Sequence, residues 1–318
     1  VDMSTLERIF FTTINWINTN KKGMTFGVMF AAAFLTAASY LKQRSFRGGF
    51  ANSLLGLAIG TPLGVCVNCA APIARGMYSA GMRAETTLSA MIASPTLNII
   101  VLTMLFSLLP FYMAVAKIAL SLGVILIAVP LICRLLPQTE IAPSELQEAT
   151  PWSVDELSQG KPATDPLGTA ILAVGQGFLK NLWYIVKMTV PLMLLAGFLG
   201  ALVAVLLPQE LITGLTFGVG ALILIVIVGL FLPVPIAFDV VVTGALLSAG
   251  LAHGYVMGLL FTLGIFSVYS GLIVVQSVGT RAAWMLSATI AVLGVAAGLG
   301  AQGYHDWQSR RALEMLLE

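Results

Sequence analysis

Cys66 and Cys69 stand three positions apart, beside Asn68, in a stretch otherwise apolar enough to lie in lipid. Two soft sulfur atoms at that spacing reach one ligand whether the segment is a helical turn or a loop, and thiols select soft, thiophilic ions and metalloids over hard cations. A lone Cys-x-x-Cys has too few groups for a closed zinc site, which takes about four ligands. Cys66 and Cys69 are therefore candidates for holding a soft ion or solute only as a pair. The plain alternative is cysteine as a small hydrophobe between helices, and that is the reading for Cys133, alone in an apolar span.

Farther along, Ser94 and Asn98 lie four apart and share a helical face, with Met91 and then Thr87 on the turns before them. A hydroxyl, an amide and a thioether suit a neutral or soft solute; the competing reading is a helix-helix hydrogen bond, worth about 0.6 kcal/mol in a membrane. Asp239 is the one carboxylate deep in a hydrophobic element. It must be paired, protonated or open to a wet cavity. Proton coupling suits it, because a carboxyl taken out of water holds its proton more tightly. An acid bonded to the backbone of its own broken helix is the alternative. Ser267, Tyr269 and Ser270 form the corresponding polar stripe in the next span, while Arg75 and Arg83 read as markers of the membrane surface.

Broken helices are expected to position these residues. Proline removes a backbone donor and clashes with the preceding turn. Pro62 and Pro72 flank the cysteines, Pro95 stands between Ser94 and Asn98, and Pro233 and Pro235 precede Asp239. Interrupted backbone at membrane depth is tolerated only where it is buried in protein or lines a cavity. In many transporters such interruptions form the substrate site near the bilayer midplane.

The 318-residue chain is 58% hydrophobic and 9% charged, with a mean hydropathy of +0.96. A soluble domain carries about 25% charged residues, so one large water-soluble core is excluded and an integral membrane protein is implied. The net charge of +2, with no dense basic block, excludes nucleic acid as a partner. Three cysteines in apolar segments make no disulfide framework. VDMSTLERIF lacks the features of a signal peptide, so the first span is expected to insert and remain.

The expected fold is an all-α polytopic bundle of about eight spans in two repeated halves, with Pro-broken elements that cross or re-enter. The first half, residues 1–136, holds an interfacial helix at 4–20 closed by Lys21 and Lys22, then a span at Met24–Leu41. The cysteine element at Gly49–Ala74 follows, then spans at Thr86–Leu109 and Phe111–Leu136. Residues 137–166 form an acidic, proline-rich linker, residues 167–302 the second half with Asp239, and residues 303–318 a tail. Laying Ser79-Ala80-Gly81 over Ser248-Ala249-Gly250 brings the two halves into register, with Asn98 on Ser267. Of sixteen lysines and arginines, Lys42, Arg44, Arg47 and Arg281 fall outside and Lys117 within a span; the other eleven fall inside, placing both termini and the linker in the cytoplasm.

At Pro62, Cys66, Pro72 and Ser94-Pro95-Thr96-Leu97-Asn98 the chain resembles the predicted-permease family that includes the organoarsenical efflux permeases. That family shows a proline, a Cys-Ser-Cys cluster, a second proline and a Ser/Ala-Pro-x-x-Asn signature, with an acid in the second half that Asp239 matches. The family's second cysteine falls on Asn68, Cys69 is displaced by one, and the second-half signature is reduced to Gly264-Ile265-Phe266-Ser267. The resemblance implies a multi-pass protein of a prokaryotic inner membrane.

Together these residues point to a secondary transporter, not an enzyme, exporting a small thiophilic solute: an organoarsenical, a related metalloid or a soft metal ion. The alternatives are a membrane thiol-redox relay and a carrier of a small sulfur-containing anion. No phosphate-loop motif occurs, so transport is expected to run on an ion gradient or on the solute's own, with Asp239 coupling protons. No cofactor is expected. The expected partners are the solute, the lipid bilayer and a second copy of the chain.

Overall fold

The computed structural model describes residues 5–40, 48–136, 174–184, 186–187, 190–191, 194, 198, 201, 217–234 and 237–317. All regular structure among them is helical. The acidic linker, Pro235 and most of residues 185–216 lie outside the described residues.

The chain opens with α1 (Thr5–Tyr40), one helix that runs through Lys21 and Lys22. The sequence had suggested an interfacial helix and a separate span. Gly23 and Gly27 are the glycines in this run, and each costs a helix interior only about 1 kcal/mol. Then come α2 (Gly49–Leu63), α3 (Val67–Ser79), α4 (Ala84–Thr96), α5 (Ile99–Leu108) and α6 (Phe111–Gly123). A π-helical turn at Val124–Ala128 joins α6 to α7 (Val129–Leu135). The π turn absorbs Pro130, whose missing N–H leaves one carbonyl of the preceding turn unbonded. After a helical run at residues 174–184 the described chain continues as α8 (Val219–Phe231), α9 (Phe238–Ser248), α10 (His253–Thr262), α11 (Val268–Ser277) and α12 (Thr280–Leu317).

Among the described residues, Phe111–Leu135 and Thr280–Met315 are long and apolar enough to cross a membrane. The pair α4 and α5, bent by 43° at its break, makes a third if it is one span. At 1.5 Å per residue, the 10-residue α5 and α11 each cover about half of a ~30 Å hydrocarbon layer. The polarity of the molecule is that of a membrane protein. Phe111, Ile127, Trp284 and Val292 point outward, while Asn52, Ser94, Asn98, Lys117, Asp239, Ser267 and Ser270 are buried.

Small residues let these helices approach closely. A Cβ on Gly60 of α2 would sit 2.8 Å from the Ala90 Cα of α4, and Gly56 one turn earlier meets the Thr86 carbonyl in the same way. The broken helices are paired by hairpin turns. In one, Met82 N–H donates to the Met77 carbonyl (3.1 Å) around Gly81 at φ 89°; in the other, Leu251 N–H donates to the Leu246 carbonyl (3.0 Å) around Gly250 at φ 88°. Only glycine holds that backbone without strain. Across the molecule α3 packs on α11 and α9 packs on α5.

Candidate functional site

The breaks in four helical pairs meet in the interior. Gly64–Cys66 separates α2 from α3, and its Val65 is clasped by Ser94 of α4: the hydroxyl accepts from Val65 N–H at 3.1 Å and donates to the Val65 carbonyl at 3.4 Å. Leu97 and Asn98 separate α4 from α5. Asn98 therefore does not continue a helical face from Ser94, as its spacing had suggested, but caps α5. Its amide donates to the Ser94 carbonyl at 2.7 Å, replacing the main-chain bond lost at the break, and its oxygen accepts from Val101 N–H at 3.0 Å.

The second half adds its own breaks to the same centre. Ser267, the N-cap of α11, forms a capping box with Ser270 and donates from its hydroxyl to the side-chain oxygen of Asn68 at 3.2 Å. The Asn68 amide reaches the Val234 carbonyl, between α8 and α9, at 3.5 Å. Asn68 thus touches both breaks of the second half from the first turn of α3. Cys66 is the N-cap of that helix and half-buried, Cys69 is buried one turn in, and their Sγ atoms lie 2.7 Å apart as free thiols.

This arrangement, a soft pair beside an amide and hydroxyls where helices are interrupted, is the kind of interior a solute carrier needs. The family model described as "Predicted permease" matches residues 24–302. The chain belongs to this predicted-permease family. The UPF0718 protein YraQ of Escherichia coli strain K12 is 25% identical over 261 residues, which cover 81% of this chain and 68% of that protein. No solved structure matches the chain. Membership makes it a membrane permease, a transporter in kind.

The permease places the other sequence candidates as follows. Met91 and Tyr269 are buried members of the hydrophobic core, and Cys133 is buried on α7. Pro62 and Pro95 sit in the last turns of α2 and α4, directly before their breaks, and Pro233 lies between α8 and α9. Pro72 does not break its helix. It sits inside α3 and forfeits only the bond to the Asn68 carbonyl, while Ala70 N–H closes the first turn on the Cys66 carbonyl at 2.8 Å.

Two ionisable groups take unexpected places. Asp239, in the first turn of α9, receives the Lys117 ammonium of α6, and both side chains are almost wholly out of solvent. Lys117 had stood in the sequence only as a lysine within a span; nothing local pointed to its partner 122 positions away. The start of α9 also favours the carboxylate, since a helix N-terminus carries partial positive charge. Ala237, just before it, is held at φ 59°, a left-handed backbone that costs a non-glycine residue about 1–2 kcal/mol. Arg75 is buried, not at the surface. Its guanidinium donates to the Gln276 side-chain oxygen at 2.7 Å, so α3 and α11 are joined at both ends. Arg83 pairs with Glu85 at 3.2 Å and remains partly exposed.

Proposed function

We propose that the protein is a secondary transporter of the cell membrane that exports a small thiophilic solute, such as a trivalent organoarsenical, a related metalloid or a soft metal ion. The observation that carries the reading is the Asn68–Ser267 bond at the meeting of the helix breaks, with Cys66 and Cys69 beside it. A solute held there touches elements of both halves, so its binding and release can follow their relative movement. Cys66 and Cys69 supply the soft contacts; Asn68, Ser94, Asn98, Ser267 and Ser270 supply polar ones.

The proposed scaffold is two repeated halves in a multi-pass arrangement of about eight crossings. A shift of 169 positions, 99 to 268 and 108 to 277, lays α5 on α11 and supports it. The same shift lays Asn98 on Ser267, each the side-chain N-cap of its helix. The exchange of partners, α3 on α11 and α9 on α5, supports the duplication as well.

Energy is proposed to come from the proton gradient, with Asp239 as the coupling acid. Expression in a sensitive host tests the reading: resistance to a trivalent organoarsenical is expected, and its loss when Cys66 and Cys69 are both serine. Full resistance in that double variant removes sulfur from the mechanism.

One observation favours a second reading, a membrane thiol-redox relay. Cys66 is a half-buried N-cap with Cys69 buried one turn behind it, an order that suits thiol-disulfide exchange through the outer sulfur. Trapping a mixed disulfide between a Cys69→Ser variant and a thioredoxin-like protein supports the relay; no trapped species under conditions where transport runs rejects it.

A further inference from the structure

Lys117 and Asp239 form an ion pair between α6 of the first half and α9 of the second, with side-chain exposures of 1% and 3%. Burying two charges is expensive, and removing one leaves the other without compensation at a cost of several kcal/mol. The pair is also close to the solute centre. A Cβ on Gly264 would lie 2.7 Å from the Asp239 carboxyl carbon, and Gly264 belongs to the same break as Ser267, which bonds Asn68. The carboxylate therefore rests against the backbone that ends in the solute-facing cap.

The other end of the pair sits on a helix that is interrupted by a π turn. Lys117 lies two turns before the π-helical turn at Val124–Ala128, a distortion common at functional sites. Ser121, one turn beyond Lys117 on the same face, is buried, and its hydroxyl has no hydrogen-bond partner among the described residues. The described acids and bases on the neighbouring elements include Glu85, His253, Tyr255, Arg281 and His305, and α6 itself carries Tyr112, whose buried hydroxyl has no hydrogen-bond partner among the described residues. Glu85 of α4 holds Arg83, Tyr255 of α10 bonds the backbone of Gly218, and His253 of α10 stacks on His305 of α12, beside Tyr112 of α6 and Tyr304. Arg281 opens α12. α5 brings no titratable side chain to the pair.

We infer that Lys117 is the internal counter-cation of the coupling acid: it holds Asp239 ionised at rest, and the coupling proton displaces it. In that step a proton from the medium forms an O–H bond on the Asp239 carboxylate, and the Lys117 ammonium keeps its three protons. Attraction between the two groups is lost, leaving a single positive charge on α6 with the Ser121 hydroxyl as an acceptor one turn along. Departure of the proton restores the pair. The proposal rests on the transporter reading above; Lys117 acts through Asp239 and is a positioning residue.

The test uses the full-length protein in lipid nanodiscs and reads the infrared carbonyl band of a protonated carboxyl, assigned to Asp239 by its absence in Asp239→Asn. The parent and Lys117→Arg are expected to show no such band at neutral pH and to gain it on acidification. Lys117→Met is expected to show it already at neutral pH. A Lys117→Met spectrum identical to the parent's overturns the inference. Should Lys117→Met fail to fold, the Lys117→Asp/Asp239→Lys exchange decides: recovery of the fold, with the carboxyl band again absent at neutral pH and gained on acidification, supports the inference, whereas no recovery or a band already present at neutral pH rejects it. In everted vesicles given a trivalent organoarsenical, Lys117→Met is expected to lose at least tenfold of the response to an imposed pH gradient. If the parent itself moves no organoarsenical, the solute reading fails while the infrared result still decides the role of Lys117.

Discussion

Asn68 and Ser267, 199 positions apart, are joined by a 3.2 Å hydrogen bond in which the serine hydroxyl donates to the amide oxygen. Ser267 also caps α11, and the Asn68 amide reaches the Val234 carbonyl in the break between α8 and α9. Asn68 therefore links the first turn of α3 to two interruptions of the second half.

Replacing Ser267 by alanine removes that donor and the α11 cap together. Loss of the cap alone costs about 1 kcal/mol, so a fall of a few degrees in Tm is expected, with at least a tenfold loss of solute binding in a thermal-shift titration. Ser267→Thr keeps the hydroxyl and is expected to retain both. Unchanged binding in Ser267→Ala would place the solute elsewhere.

The cysteines are expected to separate by position. Cys66→Ser and Cys69→Ser are each expected to weaken organoarsenical resistance at least tenfold, measured as the inhibitory concentration for growth. Cys133→Ser, buried on α7 away from the breaks, is expected to leave resistance at the parent level. Equal losses at all three positions would point to general destabilisation and not to a sulfur site.

Asp239→Asn keeps the shape of the side chain and removes the charge that balances Lys117. It is expected to fold with lower stability, because Lys117 stays buried without its partner, and to bind solute, but to lose proton-dependent transport in vesicles. Glu145→Gln in the acidic linker is expected to change nothing. If Asp239→Asn transports like the parent, with the same response to an imposed pH gradient, the acid is structural.

Packing makes a fourth prediction. A methyl group at Gly60 meets Ala90 backbone at 2.8–3.0 Å, and backbone cannot yield as a side-chain tip can. Gly60→Ala is expected to push α2 off α4 and cost about 1–3 kcal/mol. Gly123 on α6 has no described atom within 4 Å of an added Cβ, so Gly123→Ala is expected to be neutral or to stabilise by about 0.5–1 kcal/mol. Thermal unfolding of the two variants in one detergent compares them directly.

Much was legible from local chemistry alone. Low charge and high hydropathy marked a membrane protein, and the residues 60–98 motif marked the family whose model spans residues 24–302. Those properties depend on composition and on near neighbours in the chain, which are fully present in a sequence. Pro62, Pro95 and Pro233 marked interruptions for the same reason, since the loss of an N–H is a local fact. Pro72 shows where that reasoning ends: a proline near the start of a helix loses little, and whether the helix survives depends on what packs around it. The continuity of α1 through Lys21 and Lys22, the burial of Arg75 against Gln276 and the capping role of Asn98 were decided by packing of the same kind. The pairing of Lys117 with Asp239 and of Asn68 with Ser267 was decided by tertiary structure alone. Each joins residues more than a hundred positions apart, and no periodicity or propensity carries information across that distance; only the folded arrangement, which must compensate every buried charge and donor, brings them together.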